Sequence, residues 1–311
     1  MRRSIFRSTI TSMAIFFSVG LFAQKSTASL GLVGKVKSLH SVTRPLANPS
    51  ITEPSGFLDS ERFDSIALTF DAYRHLILEE NFLDYRGKLG IFDRTVYWYN
   101  PQHKIEKLET TLIQNGEEPR KISQRKIFYY INKRLVRMDE FNSGRTTDQH
   151  WVVNSVYEND QLQEKVFWMD DAVFSRSEFK MTPYNDVLSE TSFYNDGRMG
   201  RSVNYSYYPD GLLAKITSKT AHGNETETFE YHAVYVKKHL KTDQHGQLLF
   251  TEFYDENGRL TEIRKYNYRT KDFDVFNFQF VYDHHNNWTS CDISKNNQLH
   301  YRITRTISYF E

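Results

Sequence analysis

The clearest pattern along the chain is a strict alternation of apolar and polar positions in short runs. The best examples are residues 276–282, 229–235 and 303–309. A period of two places successive side chains on opposite faces of a strand, whereas a helix repeats its apolar positions at intervals of three and four. The alternation therefore predicts β structure. One segment, Ile66–Leu83, allows a helix, although Phe70-Asp71 within it equally fits an early degenerate repeat.

Turns of one composition separate these runs. The best copy reads Tyr254-Asp255-Glu256-Asn257-Gly258-Arg259-Leu260. An Asp after a strand can accept backbone N–H groups and start a turn, and Gly supplies the positive φ that a tight turn needs. We expect Asp255 and Gly258 to take these parts, with Leu260 opening the return strand toward the core.

Weaker copies of this motif recur along the chain. They are centred on Tyr99, Tyr130, Tyr157, Tyr184, Tyr194, Tyr208, Asp243 and Tyr282-Asp283. Long intervals of 27 to 31 residues alternate with short ones of 10 and 14 residues. Repetition at this period predicts an all-β chain of antiparallel strand–turn–strand repeats that form an elongated or curled sheet or a solenoid.

The first residues have the features of an export signal. Arg2, Arg3 and Arg7 precede an apolar run at 13–22, and Ala23 or Ala28 is a suitable cleavage point. The run is shorter than the ~20 residues of a membrane-spanning helix. We therefore expect residues 1–23 to be removed, with no integral membrane segment left, and the protein to be secreted or periplasmic in a bacterial envelope. No Cys lies near the cleavage points, so it should not be a lipoprotein.

The rest of the chain divides into three parts. Residues 24–60 have weak apolar periodicity and three prolines, which predicts an irregular arm. Residues 61–94 are either a degenerate first repeat or a short helix. Residues 95–311 form the repeat domain.

Composition narrows the classes of partner and chemistry. The net charge of +1 provides no field that would attract nucleic acid. A single cysteine, Cys291, excludes an internal disulfide and a cysteine zinc site. Aromatic residues make up 15% of the chain, with 20 Tyr and 23 Phe, and this excess favours pleated sheet.

No motif commits the chain to a catalytic, metal or cofactor site. The densest potential metal ligands are turn residues, which we interpret as solvated: Asp243, His245, Asp283, His284 and His285. The carboxylate pairs Glu79-Glu80, Asp139-Glu140 and Asp170-Asp171 are strand neighbours that should point to opposite faces. Cys291 has no evident His partner, so we predict neither catalysis nor a cofactor.

Three tryptophans are the candidate binding residues. Trp98, Trp168 and Trp288, together with the tyrosine excess, could form stacking platforms for sugars or peptides, because aromatic rings with a polar edge suit such surfaces. The alternative is that these rings fill the interior of the sheet.

The motif of Tyr254, Asp255, Gly258 and Leu260 resembles the YD repeat of RHS-type proteins. The blocks 282–289 and 305–309 resemble the final segment of short, secreted bacterial members, with Asn286 where Gly is usual. The resemblance covers roughly residues 95–311 and implies an antiparallel β strip that curls or spirals. It implies little about activity. Large members carry a toxin or ligand domain beyond the repeats, and we expect none after Glu311.

The leading functional hypothesis is a non-catalytic secreted or envelope protein that binds another protein or a glycan through its sheet surface. A purely structural or encapsulating module and an unrecognised hydrolase are the alternatives. An aromatic patch on the outside would favour binding, since large exposed apolar patches mark interaction sites. An all-inward aromatic set would favour the structural role, and converging carboxylates or histidines would favour the hydrolase.

Overall fold

The computed structural model describes residues 30–45, 64–85, 88–113, 122–143 and 147–311. The predicted signal peptide lies outside these ranges. The described residues contain twenty β-strands, which are β1 Val36–Pro45, β2 Ser65–Phe70, β3 Leu76–Tyr85, β4 Lys88–Tyr99, β5 Ile105–Leu112, β6 Ile122–Ile131, β7 Arg134–Ser143, β8 Asp148–Glu158, β9 Gln161–Met169, β10 Ala172–Met181, β11 Val187–Tyr194, β12 Met199–Tyr207, β13 Leu213–Thr220, β14 Gly223–His232, β15 Tyr235–Thr242, β16 Leu248–Tyr254, β17 Leu260–Asn267, β18 Asp272–Tyr282, β19 Trp288–Lys295 and β20 Gln298–Tyr309.

The strands form one closed antiparallel ring. Each strand pairs with the next along the chain, and β1 pairs with both β2 and β20. The prediction of an all-β antiparallel fold is confirmed. The prediction of an elongated or curled sheet or a solenoid is wrong, because the last strand returns to the first and closes a 20-stranded barrel. Closure leaves none of the twenty described strands as a free edge.

The strand that closes the ring lies where the sequence predicted an irregular arm. β1 falls inside residues 24–60, and its register with β20 runs from Val36 opposite Tyr309 to Pro45 opposite Tyr301. Its own alternation is weak, so the backbone groups of β2 and β20 on either side, rather than its side chains, stabilise it as a strand. The helix allowed for Ile66–Leu83 is also wrong, since β2 and β3 occupy this segment as a strand–turn–strand unit.

The turns share the geometry expected from the motif. Asp255 accepts the backbone N–H groups of Asn257 and Arg259, both at 2.9 Å, and Gly258 has a φ of 73°. Asn286 takes the equivalent place after Asp283, with a φ of 66°. The same position is filled in other four-residue turns by Arg74, His103, Asn185, Gly197, Gly211 and Gly246.

Nine turns follow even-numbered strands, and they lie at the end of the barrel where β1 begins and β20 ends. We call this the tyrosine end. There the Tyr that closes one strand bonds to the strand before it. Tyr99 donates to the Leu76 carbonyl at 2.7 Å, and Tyr231 donates to the Leu213 carbonyl at 2.9 Å. The same bond joins Tyr157 to Leu135 and Tyr207 to Val187. A Tyr at the end of each of these four strands therefore connects neighbouring hairpins, and two of the four, Tyr99 and Tyr157, belong to the motif.

Three motif tyrosines do not take this inner place. Tyr184 lies in the turn after β10 and is 88% exposed. Tyr208 follows β12 and is exposed, while its neighbour Tyr207 makes the bond to the preceding strand. Tyr194 ends β11 and therefore lies at the opposite end of the barrel. The motif marks the turn in each case, but it does not mark which Tyr faces inward.

The core lies on the inner face of the ring, in three separate clusters. One spans β17 to β20 around Ile263, Phe276 and Cys291, and another spans β5 to β9 around Phe128 and Met138. The third joins residues 30–39 to β2 and β3. Each cluster packs residues of neighbouring strands, and none of the three includes β10 to β16.

Asn287 stabilises the junction between β1 and β20, which we call the seam. Its side chain is 1% exposed, and it binds the Val33 backbone as a strand would, accepting from the Val33 N–H at 2.7 Å and donating to the Val33 carbonyl at 2.8 Å. Its amide also donates to the Tyr309 hydroxyl at 2.8 Å. One buried amide thus joins the last motif turn, the last strand and the segment before β1.

Gly258→Val should destabilise the protein by roughly 1–3 kcal/mol, because Val is strained at positive φ. A Cβ at this position would also lie 2.9 Å from the Tyr235 ring. Asn286→Gly, at the equivalent place in the last motif turn, should be neutral or mildly stabilising. Thermal and urea melts of the two variants check this. A Gly258→Val melt identical to wild type would contradict the shared geometry of the two turns.

Asn287→Ala should lower the free energy of unfolding by about 2–4 kcal/mol, because it removes the three hydrogen bonds that the buried Asn287 amide makes to Val33 and Tyr309. Asn224→Ala, at an exposed position of β14, is the matched control and should stay close to wild type. Hydrogen exchange should show the loss of protection concentrated in β1 and β20. Uniform loss around the ring would mean that Asn287 is not specific to the seam.

Candidate binding surfaces on the two faces of the barrel

Alternation along the strands gives the barrel an inner and an outer face that differ in chemistry. Cross-strand partners share a face. The face that carries Phe128, Met138, Val153 and Phe167 is buried and points inward. Inner positions nearer the other end of the barrel carry paired charges, such as Lys126 with Glu140 at 3.1 Å. The interior is therefore apolar toward the tyrosine end and polar toward the opposite end.

His239 is the centre of the strongest ionic cluster on the inner face. Its Nδ1 lies 2.8 Å from Glu252 and its Nε2 lies 3.2 Å from Glu227. The ring stacks on Phe229 with centroids 4.4 Å apart. Lys241 adds an ion pair to Glu225 at 2.6 Å. One imidazole thus connects β14, β15 and β16.

The protonation of this cluster follows from its contacts. Burial opposes the charged form of His239, but the hydrogen bonds to Glu227 and Glu252 outweigh it and raise its pKa to about 9. The bond to His239 lowers the pKa of Glu227, and at Glu252 bonds from His239 and Tyr254 overcome burial and lower its pKa. A histidine that is protonated at neutral pH cannot accept a proton, so the cluster suits strand cross-linking better than general base catalysis.

A second ionic group on the inner face spans β9 to β12. Burial lowers the pKa of Lys165 and raises the pKa of Glu190. One carboxylate oxygen of Glu190 has no hydrogen-bond partner among the described residues. Glu190 is 4% exposed, so this carboxylate is not open to solvent.

The outer face carries a band of aromatic side chains across β4 to β9. We call Trp98, Tyr129, Phe141 and Trp168 the aromatic band. Trp98 and Trp168 lie in one row of directly paired residues that crosses the wall. The row continues from Trp98 through Lys107, Ile127, Asp139 and Val152 to Trp168. Five strand steps of ~4.8 Å separate the two tryptophans by about 24 Å. Trp98, Tyr129 and Phe141 are 37%, 43% and 40% exposed.

Cations and a histidine cover the faces of these rings. The Lys107 ammonium lies 3.9 Å from the centre of the Trp98 ring, and the Arg137 guanidinium lies 5.7 Å from that of Tyr129. His150 stacks flat on Phe141 with centroids 4.4 Å apart. Lys107 and Arg137 are themselves paired with Glu109 and Asp139, so the band presents ring edges and ion-paired cations, rather than open ring faces, to the solvent.

The third predicted binding tryptophan lies inside. Trp288 packs against the core cluster of β17 to β20, and the Arg305 guanidinium lies 3.3 Å from its ring centre. Trp98 and Trp168 lie outside, so the structure does not bring the three tryptophans together. The Trp168 indole N–H is buried without a hydrogen-bond partner among the described residues.

The other candidate groups separate in the structure. Asp283 and Asp243 start turns at opposite ends of the barrel, so the potential metal ligands of these two turns do not meet. In the part of the chain that the structure describes, no three His, Cys, Asp or Glu side chains are placed to hold a metal. Glu79 faces inward and Glu80 outward, and Cys291 is fully buried in the core.

Sequence reasoning missed the residues that complete these surfaces. Tyr129 is adjacent to the motif residue Tyr130, and strand alternation would have placed the two on opposite faces. His239 carries no sequence signal, because its partners Glu227 and Glu252 lie 12 and 13 residues away and meet it only through cross-strand register.

Comparison with known proteins gives likenesses of structure alone. No protein family and no curated protein matches the chain. A porin-like protein from Bacteroides uniformis is 9% identical, with a TM-score of 0.36 over 89% of this chain and 99% of that one. A porin-like protein from Bacteroides vulgatus is 12% identical, with a TM-score of 0.27 over 88% and 98%.

A third likeness is to a chain of the TcdB2-TccC3-Cdc42 structure, which is 10% identical with a TM-score of 0.31 over 76% of this chain and 15% of that one. Values this low carry no information about function. The resemblance to the YD repeat stays a prediction from the sequence.

A search of the described residues for a helix long and apolar enough to cross a membrane finds none.

His239→Gln should destabilise the protein most near pH 6. The raised pKa of His239 means that its stabilisation is complete below about 6.5 and is lost as the pH rises through about 9. We expect a loss of about 2–3 kcal/mol at pH 6 and a much smaller one at pH 10, from ~1.4 kcal/mol per pKa unit. Urea melts at both pH values measure it.

His222→Gln, in an exposed turn, is the matched control and should show no such difference. Equal losses for His239→Gln at pH 6 and pH 10 would show that the charge of His239 contributes nothing.

Proposed function

We propose that this protein is a non-catalytic, water-facing β-barrel that binds a partner protein through the aromatic band on its outer face. The observation that carries the proposal is the band itself, which combines exposed Trp, Tyr and Phe side chains with Lys107 and Arg137 on one wall of the ring.

The outer face favours water over lipid. A membrane barrel needs an outward apolar band about 25 Å tall, and charged side chains there are destabilising. Here outward-facing ion pairs occur around the ring: Arg94–Glu80, Arg125–Glu109, Arg176–Glu178, Lys238–Glu230, Arg264–Glu262 and Arg302–Asp292. Such pairs are stable in water, where both partners stay solvated, and costly in hydrocarbon.

The aromatic side chains are unevenly distributed over this outer face. Beyond the aromatic band, Phe193 and Phe253 each lie beside one arginine, Arg176 and Arg264, and Tyr266 packs against Phe273. On the far part of the ring, the outer positions of β12 to β14 are Ser, Thr, Asn, Lys and Glu, for example Ser202, Asn204 and Thr217. The contrast favours a defined contact surface at β4 to β9, because scattered single apolar residues need no explanation whereas a contiguous group does.

The covered ring faces favour a protein over a glycan as the partner. A sugar stacks on an open aromatic face, and here Lys107, Arg137 and His150 already occupy the faces of three rings. Trp, Tyr and Arg side chains dominate the binding energy of protein interfaces. A barrel without free strand edges cannot capture a peptide by strand addition, so side chains must carry the binding.

Site-specific photo-crosslinking tests the proposal. A photoreactive phenylalanine analogue replaces Tyr129 in one sample and Asn204, on the far wall, in the other. After incubation with an envelope extract of the source cells, position 129 should yield a discrete crosslinked protein that excess unlabelled protein abolishes, and position 204 should not. The added variant Trp98→Ser should reduce the yield about tenfold, in line with loss of one interface anchor.

Identical products at positions 129 and 204, or crosslinking only to glycan, would contradict the proposal. The barrel should also stay dispersed without detergent. Insertion of the purified protein into lipid vesicles would show that the outer face is not water-facing.

A further inference from the structure

A groove opens at the tyrosine end, between the turn that joins β4 to β5 and the turn that joins β6 to β7. Its volume is about 760 Å³, which falls in the range of small-molecule sites, ~300–1,000 Å³. Phe128, Tyr130 and Val136 form its apolar floor, and Ile131, which is 62% exposed, forms one side.

The charges at the rim of the groove are mainly positive. Lys104 and Lys133, one from each turn, line it together with a single carboxylate, Glu106. None of the ion pairs identified among the described residues involves either lysine, whereas the neighbouring Lys107 and Lys126 both have carboxylate partners. Two unpaired ammonium groups over an apolar floor complement an anion with an apolar body.

Tyr130 departs from its equivalents at this groove. Tyr99, Tyr157, Tyr207 and Tyr231 each donate to a backbone carbonyl of the preceding strand. Tyr130 ends β6 at the corresponding place, makes no such bond within the described ranges, and borders the groove instead. Tyr254, at the end of β16, also lacks this bond and donates to Glu252 instead, whereas Tyr130 borders a cavity.

We infer that this groove is a binding site for a small amphiphilic anion, with the apolar body on Phe128, Tyr130 and Val136 and the anionic group between Lys104 and Lys133. The inference does not depend on the partner protein proposed above, because the site is a local cavity with its own charges. Glu106 opposes the anion and limits its affinity.

Fluorescence titration with 8-anilinonaphthalene-1-sulfonate, an aromatic anion, tests the site. We expect saturable binding to the folded protein, at least tenfold tighter than that of N-phenyl-1-naphthylamine, which has the same aromatic body without the sulfonate. The double variant Lys104→Glu, Lys133→Glu should lose this preference at least tenfold, and Glu106→Gln should strengthen binding of the anion.

The matched control is the double variant Lys215→Glu, Lys219→Glu on the exposed face of β13, which should bind as wild type does. Thermal melts establish that each variant is folded, as expected for exposed turn residues. Equal binding of the charged and neutral probes, or unchanged binding of the anion to the groove variant, would overturn the inference. The crosslinking test detects a bound protein, whereas the titration detects a bound small anion. Either proposal can therefore be contradicted without the other.

Discussion

The pairing of β1 with β20 is the constraint on which the rest of the structure depends. Nineteen of the twenty strand pairings join neighbours along the chain, and each of them could exist in an open strip. The last one joins residues more than 250 positions apart and removes both edges at once. It also encloses the barrel interior. Only after closure does one face of every strand point to this interior and the other to the surroundings. Asn287 holds this junction by giving Val33 the backbone partners that a strand would supply.

The tyrosine–aspartate motif stabilises the hairpin turns of the barrel. The Asp or Asn satisfies the N–H groups of the turn, the residue at positive φ closes it, and the Tyr ties the hairpin to its neighbour. Since these contacts are all within or between adjacent hairpins, they build the wall without filling its centre. The inner charges, above all His239 with Glu227 and Glu252, then cross-link strands where no apolar cluster does. This leaves the outer face free to vary, and the aromatic band and the groove at Tyr130 are departures from the repeat rather than parts of it.

Much of the local structure was predictable, and the candidate sites were predictable only in part. Residues 276–282 predicted a strand because alternation is visible in consecutive residues. Gly258 predicted a turn because the positive φ that the turn needs belongs to that residue alone. Trp98 and Trp168 were recognised as candidates, but their residue type could not say that both face outward while Trp288 packs inside under Arg305. Tyr129 belongs to the band, and Lys107 and Arg137 lie beside its rings, because of the register across strands. No single segment of the sequence specifies that register.

The sequence by itself determined that this chain is an antiparallel β protein, where several of its turns lie, and which residues shape them. These features depend on side-chain period and on φ, both of which act over a few residues. It did not determine most strand bounds: the run 229–235 crosses the turn between β14 and β15. Only the tertiary structure decided that the strip closes, that residues 36–45 are its first strand, and which face of each strand meets water. These features depend on contacts between distant segments. The backbone groups of β2 and β20 stabilise β1 as a strand although its own side chains alternate weakly. Closure then decides which of the two alternating sets of side chains points into the barrel.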